Sequence, residues 1–338
     1  MAFADIICLD QIANKKNMIP FRLAFLTCTT FYQVIASLME NRKSPPGQLI
    51  NIDGYNLHYS IMGEGSPTVI LDHSLGGIEG YLLIQEIAKL TRVCIYDRSG
   101  YGWSDINPHP RNSEQIILEM NSFLTKAKID PPYILVGNSF GSYNVRLYAH
   151  RYPEKVVGMI LTDALHEVGM LKMPLLVKGL KLFFMSGFLM SILGSTLGII
   201  RLLRKVGFFE LIKPKLRKLD NSSLNLIKQS FCRPKHWLTM FREMVNLNKS
   251  GYQLQNANNF KTLPIVLITA KSFFKPSLFT FILPIKTIDK LRKKMHHKIM
   301  NLSNNCIQLQ ADKSSHFVWI DQPEIIVKAI KIIISKLI

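Results

Sequence analysis

Cysteine pairs, acidic residues and long apolar runs are all scarce in this sequence. The chain has five cysteines in 338 residues, an odd number, and no two of them form a Cys-x-x-Cys pair. Neither a disulfide framework nor a structural zinc site is therefore expected, and we predict no metal and no other cofactor. The cysteines are interpreted as mostly buried free thiols.

The scarcity of acidic residues leaves the chain strongly basic. The chain contains 23 Asp and Glu residues and 42 Lys and Arg residues, which gives a formal net charge of +19. Even so, 48% of the residues are hydrophobic and the mean hydropathy is +0.13. Disordered basic tails and polar histone-like binders lack this much apolar material, and a polytopic membrane protein would show more than two long apolar runs. We expect a globular chain with basic and apolar segments attached.

The basic residues are concentrated in the second half of the chain. The net charge is +2 for residues 1–47, −3 for 48–164, +12 for 165–262 and +8 for 263–338. Because the excess begins abruptly after Ala164, this change of composition indicates an inserted module.

The first apolar run predicts a membrane anchor. Residues 19–39 are mostly apolar, and the 17 uncharged residues between Arg22 and Glu40 are close to the lower limit for crossing a bilayer. No clean cleavage site precedes Asn41, so an uncleaved anchor is favoured over a removed signal. The alternative is a peripheral helix packed on the domain. Basic residues flank the run on both sides and favour neither orientation, and residues 44–47 are typical of a linker.

From residue 48 onward, β-rich apolar runs alternate with helical patterns. The predicted strands are 48–53, 56–62, 68–73, 92–97, 133–138, 157–163, 264–270 and 305–310, and the predicted helices include 81–90, 113–128, 141–151, 285–300 and 322–337. Residues 165–262 have helical patterns and no convincing strand. This order predicts an α/β fold, with a mostly parallel eight-stranded sheet covered by helices on both faces. The core would comprise residues 48–164 and 263–338, with 165–262 inserted after the sixth strand.

The segment Gly137-Asn138-Ser139-Phe140-Gly141 lies between a predicted strand and a predicted helix. A serine on such a tight turn exposes its hydroxyl above the edge of the sheet, and small residues on either side allow the backbone to approach closely. The start of the following helix supplies N–H groups and a positive dipole end for a developing oxyanion. Ser139 is therefore the predicted nucleophile.

A serine nucleophile requires a base, and His316 is the favoured candidate among nine histidines. It follows the last predicted strand and precedes the final helix. This places it at the carboxyl edge of the parallel sheet, which is also the edge where Ser139 lies. The order Ser, Asp, His along the chain is consistent with a catalytic triad.

The acid of the triad is predicted to be Asp163, at the carboxyl end of the sixth strand. No Asp or Glu occurs between Leu263 and Ile288, so the position after the seventh strand has no candidate. Asp289 and Asp312 are the alternatives. Asp289 is expected within a helix, and Asp312 is so near His316 in sequence that a local turn role is favoured.

With these motifs, residues 48–338 resemble the α/β-hydrolase superfamily. The resemblance rests on the Gly137–Gly141 turn, on Arg92–Asp105, on Asp72–Gly77 and on His316 with the Asp321–Glu324 segment that follows it. It implies that the backbone N–H groups of Leu75 and Phe140 form the oxyanion hole. It also implies that a serine nucleophile cleaves an ester, a thioester or an amide, whereas dehalogenase-like and epoxide-hydrolase-like relatives use an aspartate.

Two residues depart from the pattern of the superfamily. Asn138 stands where a histidine is common, and Ser74 replaces a common glycine in the oxyanion loop. A glycine-like backbone angle at Ser74 would be strained, which puts the geometry of that loop in question. Asp97 and Arg98 are expected to hold the turn near the site.

The second apolar run, residues 182–200, contains 19 residues without a charge. A single transmembrane span here would place Ser139 and His316 on opposite sides of a membrane. We predict instead that residues 165–262 form a helical lid over the active site, whose apolar face lines an acyl pocket or touches lipid. The basic run 290–298 lacks interleaved aromatic residues. It is interpreted as the solvated face of a helix, and nucleic-acid binding is not expected.

Together these patterns favour a membrane-associated serine hydrolase that acts on a small apolar carboxylic ester or lipid. An acyltransferase with the same triad is an alternative, and so is a non-catalytic lipid-binding protein of the same fold.

Overall fold

The computed structural model describes residues 2–219, 221–274 and 283–337. Its strands are β1 (Gln48–Ile52), β2 (Tyr55–Met62), β3 (Thr68–Asp72), β4 (Val93–Tyr96), β5 (Tyr133–Asn138), β6 (Val156–Thr162), β7 (Ile265–Ala270) and β8 (Cys306–Ala311). They form one sheet in the order β1-β2-β4-β3-β5-β6-β7-β8. The β1–β2 and β2–β4 pairs are antiparallel and the other five are parallel. The prediction of a mostly parallel eight-stranded sheet is confirmed.

Thirteen α-helices are assigned within the described residues. They are α1 (Ala2–Asn41), α2 (Ile84–Ala88), α3 (Ser113–Lys126), α4 (Gly141–Arg151), α5 (Glu167–Leu171), α6 (Leu175–Thr196), α7 (Ile199–Lys205), α8 (Phe208–Ile212), α9 (Asn221–Phe231), α10 (Pro234–Gln253), α11 (Ile285–Met300), α12 (Val318–Asp321) and α13 (Glu324–Ser335). The predicted helix 81–90 is instead a 3₁₀ helix, Glu79–Leu82, followed by the short α2.

Helices cover both faces of the sheet, as the uninterrupted apolar strands require. In β5, Leu135 belongs to the core layer that contains Phe123 of α3. Its neighbours Ile134 and Val136 belong to the opposite layer, which contains Ile330 of α13. Because side chains alternate along a strand, a strand buried on both faces shows a continuous apolar run and no alternation.

The turn between β5 and α4 requires glycine because the backbone approaches very closely. A Cβ atom on Gly141 would lie 2.3 Å from the backbone O of Asp72, and one on Gly137 would lie 2.7 Å from the backbone O of Gly141. The helix α4 therefore starts directly behind β3 and β5. The carboxyl ends of β5, β6 and β8 meet at this edge of the sheet, as parallel strands do.

Residues 165–262, called the insertion below, lie between β6 and β7 and contain α5 to α10. No strand is assigned among its described residues. Its long helices α6 and α10 pack against each other, and α1 packs against α6 and α7. A Cβ atom on Gly198 would lie 2.2 Å from the backbone O of Thr29, so the backbone of α1 lies directly against the start of α7. The N-terminal helix is thus in contact with the insertion.

Candidate active site

Ser139 lies on the turn that connects β5 to α4 and has a left-handed backbone, with φ of 51°. Its N–H donates to the backbone O of Thr162 at 2.9 Å, which fixes the turn against β6. The hydroxyl of Ser142 donates to the backbone O of Ser139. A strained angle at a non-glycine residue persists only where its surroundings determine it, and here both sides of the turn are held.

His316 bridges Ser139 and Asp163. Its Nε2 lies 2.9 Å from the Oγ of Ser139, and its Nδ1 is hydrogen-bonded to the carboxylate of Asp163. The ring of Phe273 stacks on the imidazole, with centroids 4.4 Å apart and planes 26° apart. The N–H of His316 also donates to the backbone O of Phe273 at 3.1 Å. The hydrogen bonds of its two ring nitrogens therefore fix the orientation of the imidazole in its plane, and Phe273 covers one of its faces.

The loop that carries His316 is fastened by Asp321 at the end of α12. Its Oδ2 accepts hydrogen bonds from the N–H of Ser315 at 3.0 Å and from the hydroxyl of Ser315 at 2.6 Å. The position of His316 thus depends on a buried carboxylate five residues further along the chain.

Asp163 is buried at the end of β6 and also has a left-handed backbone, with φ of 40°. Burial alone raises its pKa. The hydrogen bond from His316 and the positive charge of Arg292 act against burial, and the pKa of Asp163 lies below its usual range. The backbone N–H of Ala270 donates to the same carboxylate at 3.3 Å. Asp163 is accordingly ionised at neutral pH.

Sequence reasoning missed two of the residues that contact Asp163. The Nε of Arg292 donates to Asp163 at 3.2 Å, and its Nη2 contacts the second carboxylate oxygen. The Nε2 of His296 lies 3.5 Å from Asp163. Burial, together with the nearby charges of Arg292 and His316, lowers the pKa of His296 to about 4.

The interpretation of residues 290–298 as a solvated face is therefore wrong for these two side chains. Lys293, Lys294, His297 and Lys298 are exposed, but Arg292 and His296 are buried. The signal was present in the spacing. Together with the apolar residues Ile288, Met295 and Ile299, they form one inward face of α11.

The two alternative acids do not contact His316. Asp289 accepts from the Nη1 of Arg292 at 2.6 Å and from the N–H of Phe273 at 2.9 Å. Asp312 is exposed in the turn after β8. Of the three candidate carboxylates, the structure places only Asp163 against the imidazole. Residues 275–282, which form part of the segment after β7, lie outside the described residues.

Leu75 and Phe140 line the same cavity as Ser139 and His316. In the described part of the chain, the N–H groups of Leu75 and Phe140 donate to no protein acceptor. Arg98 stabilises the loop that contains Leu75, since it donates to the backbone O of His73 at 2.8 Å and to that of Ser74 at 2.9 Å. The N–H groups of Leu75 and Phe140 remain available to an oxygen atom bound next to Ser139.

Both departures from the superfamily pattern contact the same buried carboxylate. The hydroxyl of Ser74 and the side-chain amide of Asn138 each donate to Oε1 of Glu79 at 2.9 Å. Ser74 is not among the described residues with a positive φ, and the left-handed position in this loop is Gly76, with φ of 72°. The expected strain at Ser74 is therefore absent, because Ser74 does not need the backbone angle that favours glycine.

The insertion reaches the loop through Glu243 of α10. This buried carboxylate accepts from the Nε of Arg98 at 3.0 Å and from the hydroxyl of Tyr101 at 2.8 Å. The hydroxyl of Tyr101 in turn accepts from the N–H of Gly76 at 3.2 Å. Sequence reasoning expected Arg98 to hold the turn near the site, and its contacts agree. Glu243 was missed because nothing in the local pattern marks it.

A cavity of about 330 Å³ opens above Ser139. Side chains of the insertion form much of its wall, and most of them are apolar. The lining includes Leu165, Met170, Met173, Val177, Leu180, Phe184, Phe188, Met240, Met244 and Leu247 from the insertion, and Phe273, Phe274, Ile288 and Leu291 from the segment that follows it. Apolar walls with a few convergent polar groups are typical of a site for an apolar ligand.

The sheet order, the turn at Ser139 and the positions of His316 and Asp163 define an α/β-hydrolase architecture. The chain belongs to this family: the sequence profile of the alpha/beta hydrolase fold matches residues 67–321.

Named relatives match only parts of the chain. An uncharacterized vacuolar membrane protein of Saccharomyces cerevisiae is 32% identical over 114 residues, which are 31% of this chain and 17% of that protein. A 1-acylglycerol-3-phosphate O-acyltransferase of Arabidopsis thaliana is 31% identical over 107 residues, 30% of this chain and 26% of that protein. The chain therefore spans well under half the length of these two curated relatives.

Among solved structures, the enol-lactonase from Burkholderia xenovorans LB400 superposes with a TM-score of 0.59. The match covers 85% of this chain and 100% of the lactonase at 14% identity. At this identity the similarity shows a shared fold.

Proposed function

We propose that the protein is a serine hydrolase that cleaves an apolar carboxylic ester or thioester, with Ser139 as nucleophile, His316 as base and Asp163 as acid. The observation that carries the proposal is the bridge formed by His316, with Nε2 2.9 Å from the Oγ of Ser139 and Nδ1 on Asp163. Nucleophile, base and orienting carboxylate in this arrangement are the parts that acyl transfer requires.

In the first step, the Oγ of Ser139 forms a bond to the carbonyl carbon of the substrate and His316 takes the hydroxyl proton. The carbonyl oxygen becomes an oxyanion and accepts hydrogen bonds from the N–H groups of Leu75 and Phe140. The C–O or C–S bond to the leaving group then breaks, and His316 returns the proton to the leaving group. The acyl group remains on Ser139.

In the second step, a water molecule attacks the acyl-enzyme. His316 takes a proton from the water, the oxyanion forms again in the same place, and the ester bond to Ser139 breaks. The proton returns to the serine oxygen and the carboxylic acid leaves. Throughout, Asp163 keeps the imidazole in the tautomer with a proton on Nδ1 and stabilises its charged form.

The walls of the cavity favour an apolar acyl group. Leucine, methionine and phenylalanine side chains line most of it, and the polar groups lie next to Ser139. An apolar acyl chain would gain about 25 cal/mol for each Å² removed from water. A small apolar ester or a lipid is therefore the proposed substrate class.

The proposed site of action is a membrane surface. The helical segment Pro20–Asn41 is long and apolar enough to cross a bilayer, and its 18-residue window has a mean hydropathy of 1.2. The insertion, which carries a net charge of +12, is proposed to serve as a lid whose basic residues meet anionic lipid.

A fluorophosphonate probe tests this proposal, because it reacts covalently with an activated serine. The full chain is expected to be labelled and to hydrolyse a short water-soluble ester. Ser139→Ala should abolish both, while Ser272→Ala, which removes another hydroxyl near the site, should retain both. Equal labelling of the native chain and Ser139→Ala would refute the assignment. Absence of labelling and hydrolysis in the folded native chain would favour a non-catalytic lipid-binding protein.

An acyltransferase with the same triad is the second candidate. The Arabidopsis relative named as a 1-acylglycerol-3-phosphate O-acyltransferase favours it. In that case, an alcohol takes the place of water in the second step. Product analysis with a radiolabelled acyl donor and a lysophospholipid acceptor distinguishes the two: acylated acceptor indicates transfer, and free fatty acid alone indicates hydrolysis.

A further inference from the structure

From Pro20 to Asn41, where its side chains are described, α1 turns the polar Gln33 toward the protein and apolar residues away from it. Gln33 is 4% exposed, and its amide nitrogen donates to the backbone O of Cys232 at 2.9 Å. In contrast, Phe31 and Leu38 are 66% and 56% exposed. A helix on the surface of a soluble domain has the reverse arrangement. The medium outside α1 is therefore expected to be apolar.

The helix α6 is apolar on both sides. Val177, Leu180, Phe184 and Phe188 are spaced three to four residues apart and line the cavity above Ser139. On the opposite side, apolar residues remain exposed: Leu176, Leu182, Phe183, Leu189, Met190 and Leu193. The inner side is covered by the rest of the protein. The outer side has no cover in the described structure and is continuous along the length of the helix.

Arg201 of α7 joins α1 to the insertion. Its guanidinium is buried, donates to the side-chain oxygen of Gln33 at 2.6 Å and pairs with the carboxylate of Glu40 at 3.0 Å. Removing one partner of a buried, hydrogen-bonded ion pair is strongly unfavourable. The helices α1 and α7 are thus held as one unit, and α1 is more than a tether connected by a loop.

From these observations we infer that the outer sides of α1 and α6 form one membrane-facing surface, which enters the acyl layer of an anionic bilayer. The substrate then passes from that layer into the cavity beneath α6. This inference rests on the proposed function, and it identifies where the lipid meets the protein.

Charge complementarity supports an anionic bilayer as the occupant. Exposed basic side chains lie near both ends of the apolar surface, Lys178 near the start of α6 and Lys205 at the end of α7, whereas Arg201 is buried against Glu40. None of the two helices' residues is acidic. Basic groups at the edge of an apolar surface lie at the headgroup level of a membrane and are attracted by anionic lipids.

Flotation of the full chain with vesicles tests the surface. The probes are vesicles of phosphatidylcholine alone and of phosphatidylcholine with phosphatidylserine. One variant carries Phe183→Ser and Met190→Ser on the outer side of α6, and another carries Val34→Ser and Leu38→Ser on α1. All four side chains are at least half exposed, so the changes leave the core packing intact. The matched control, Leu49→Ser with Leu118→Ser, changes exposed residues of β1 and α3.

Each double variant is expected to lower the partition coefficient into mixed vesicles by about tenfold or more, since two large apolar side chains leave the acyl layer. The control pair should partition like the native chain, and partition should fall when phosphatidylserine is omitted. Hydrolysis of a long-chain ester embedded in vesicles should fall with partition. Hydrolysis of a short water-soluble ester should stay within about twofold of the native rate.

The outcomes separate this inference from the proposed function. Native partition of the α6 variant would overturn the inference, and so would a loss confined to the α1 variant, which indicates a simple N-terminal anchor. A fall of short-ester hydrolysis in parallel with vesicle hydrolysis would also overturn it, since the change would then act on the site itself. Absence of Ser139-dependent hydrolysis in the native chain would instead refute the proposed function, whatever the measured partition coefficient.

Discussion

The guanidinium of Arg292 contacts both carboxylate oxygens of Asp163, whose Oδ2 also faces Nδ1 of His316. A cation thus shares the negative charge that would otherwise stabilise the imidazolium of the proposed triad. His296, 3.5 Å from the same carboxylate, adds a second titratable group. Asp289 binds Arg292 on its other side and holds it in place.

Replacing Arg292 with methionine is therefore expected to change the pH dependence of catalysis. Without the cation, the carboxylate of Asp163 stabilises the charged imidazole more strongly. The acid limb of the kcat/KM profile should then move to higher pH. Arg292→Lys, which keeps the charge, should retain the native profile. An unchanged profile in the methionine variant, measured with a short ester, would show that Arg292 only supports the fold.

Asp163→Asn tests the acid directly. The amide leaves the geometry nearly intact but favours the wrong tautomer of His316, and the expected loss in kcat is roughly 10³–10⁴-fold. Asp312→Asn, a change in the exposed turn near His316, serves as the control and should retain kcat. The measurement is steady-state kinetics on a short ester at neutral pH. Retention of full activity by Asp163→Asn would remove Asp163 from the triad.

Glu243→Gln is expected to affect stability and turnover together. The amide keeps the size of the side chain but removes the charge that pairs with Arg98, and breaking a buried pair costs about 3 kcal/mol of unfolding free energy. Because Arg98 and Tyr101 also hold the loop that contains Leu75, we expect kcat to fall by up to roughly 100-fold.

The readouts for Glu243→Gln are thermal unfolding and kcat at a temperature where the variant is fully folded. Glu86→Gln, at an exposed ion pair with Lys89, is the control for loss of a carboxylate and should change both quantities little. A normal kcat in a destabilised Glu243→Gln variant would limit the residue to a structural role.

Buried neutral histidines should make the protein sensitive to acid. Burial lowers the pKa of His236 to about 3, and burial with nearby cations lowers that of His166 and His296 to about 4. The unfolded chain binds these protons near pH 6.5, so it takes up more protons than the folded chain below that value. The stability contributed by the neutral forms is therefore complete above pH 6.5 and is lost as the pH falls toward 4.

Urea unfolding at a series of pH values between 7 and 4 measures this loss. His236→Asn, although less stable at pH 7, should show a smaller decline over that window, because each unit of lost pKa difference is worth about 1.4 kcal/mol. Equal declines for the two proteins would mean that His236 accepts a proton within the folded state.

The sheet and the positions of Ser139 and His316 were predictable because their signals are local. A continuous apolar run followed by a small-residue turn and a helix specifies both a buried strand and the turn that ends it. Asp163 required elimination, since the position after the seventh strand contains no acid. Its role in catalysis stays a prediction until the kinetics are measured.

The burial of Arg292 could have been read from the spacing of the inward face of α11, but its contact with Asp163 could not, because the two residues lie 129 positions apart. Glu243 is a single charged residue whose partners lie far away in sequence, so no local pattern marks it as buried. Ser74 and Asn138 share the carboxylate of Glu79, a relation that is visible only once the loop and the turn are seen side by side. The polarity of α1 was equally hidden, because its composition matches both an anchor and a peripheral helix.

The buried pairing of Arg201 with Gln33 and Glu40 has a consequence for any form of the protein that lacks α1. Removal of α1 by cleavage after Asn41 would leave a buried guanidinium without these partners. A shed form would therefore begin its existence with a weakened insertion above its own cavity. A stable shortened form would require new partners for the guanidinium of Arg201, or an apolar residue in its place.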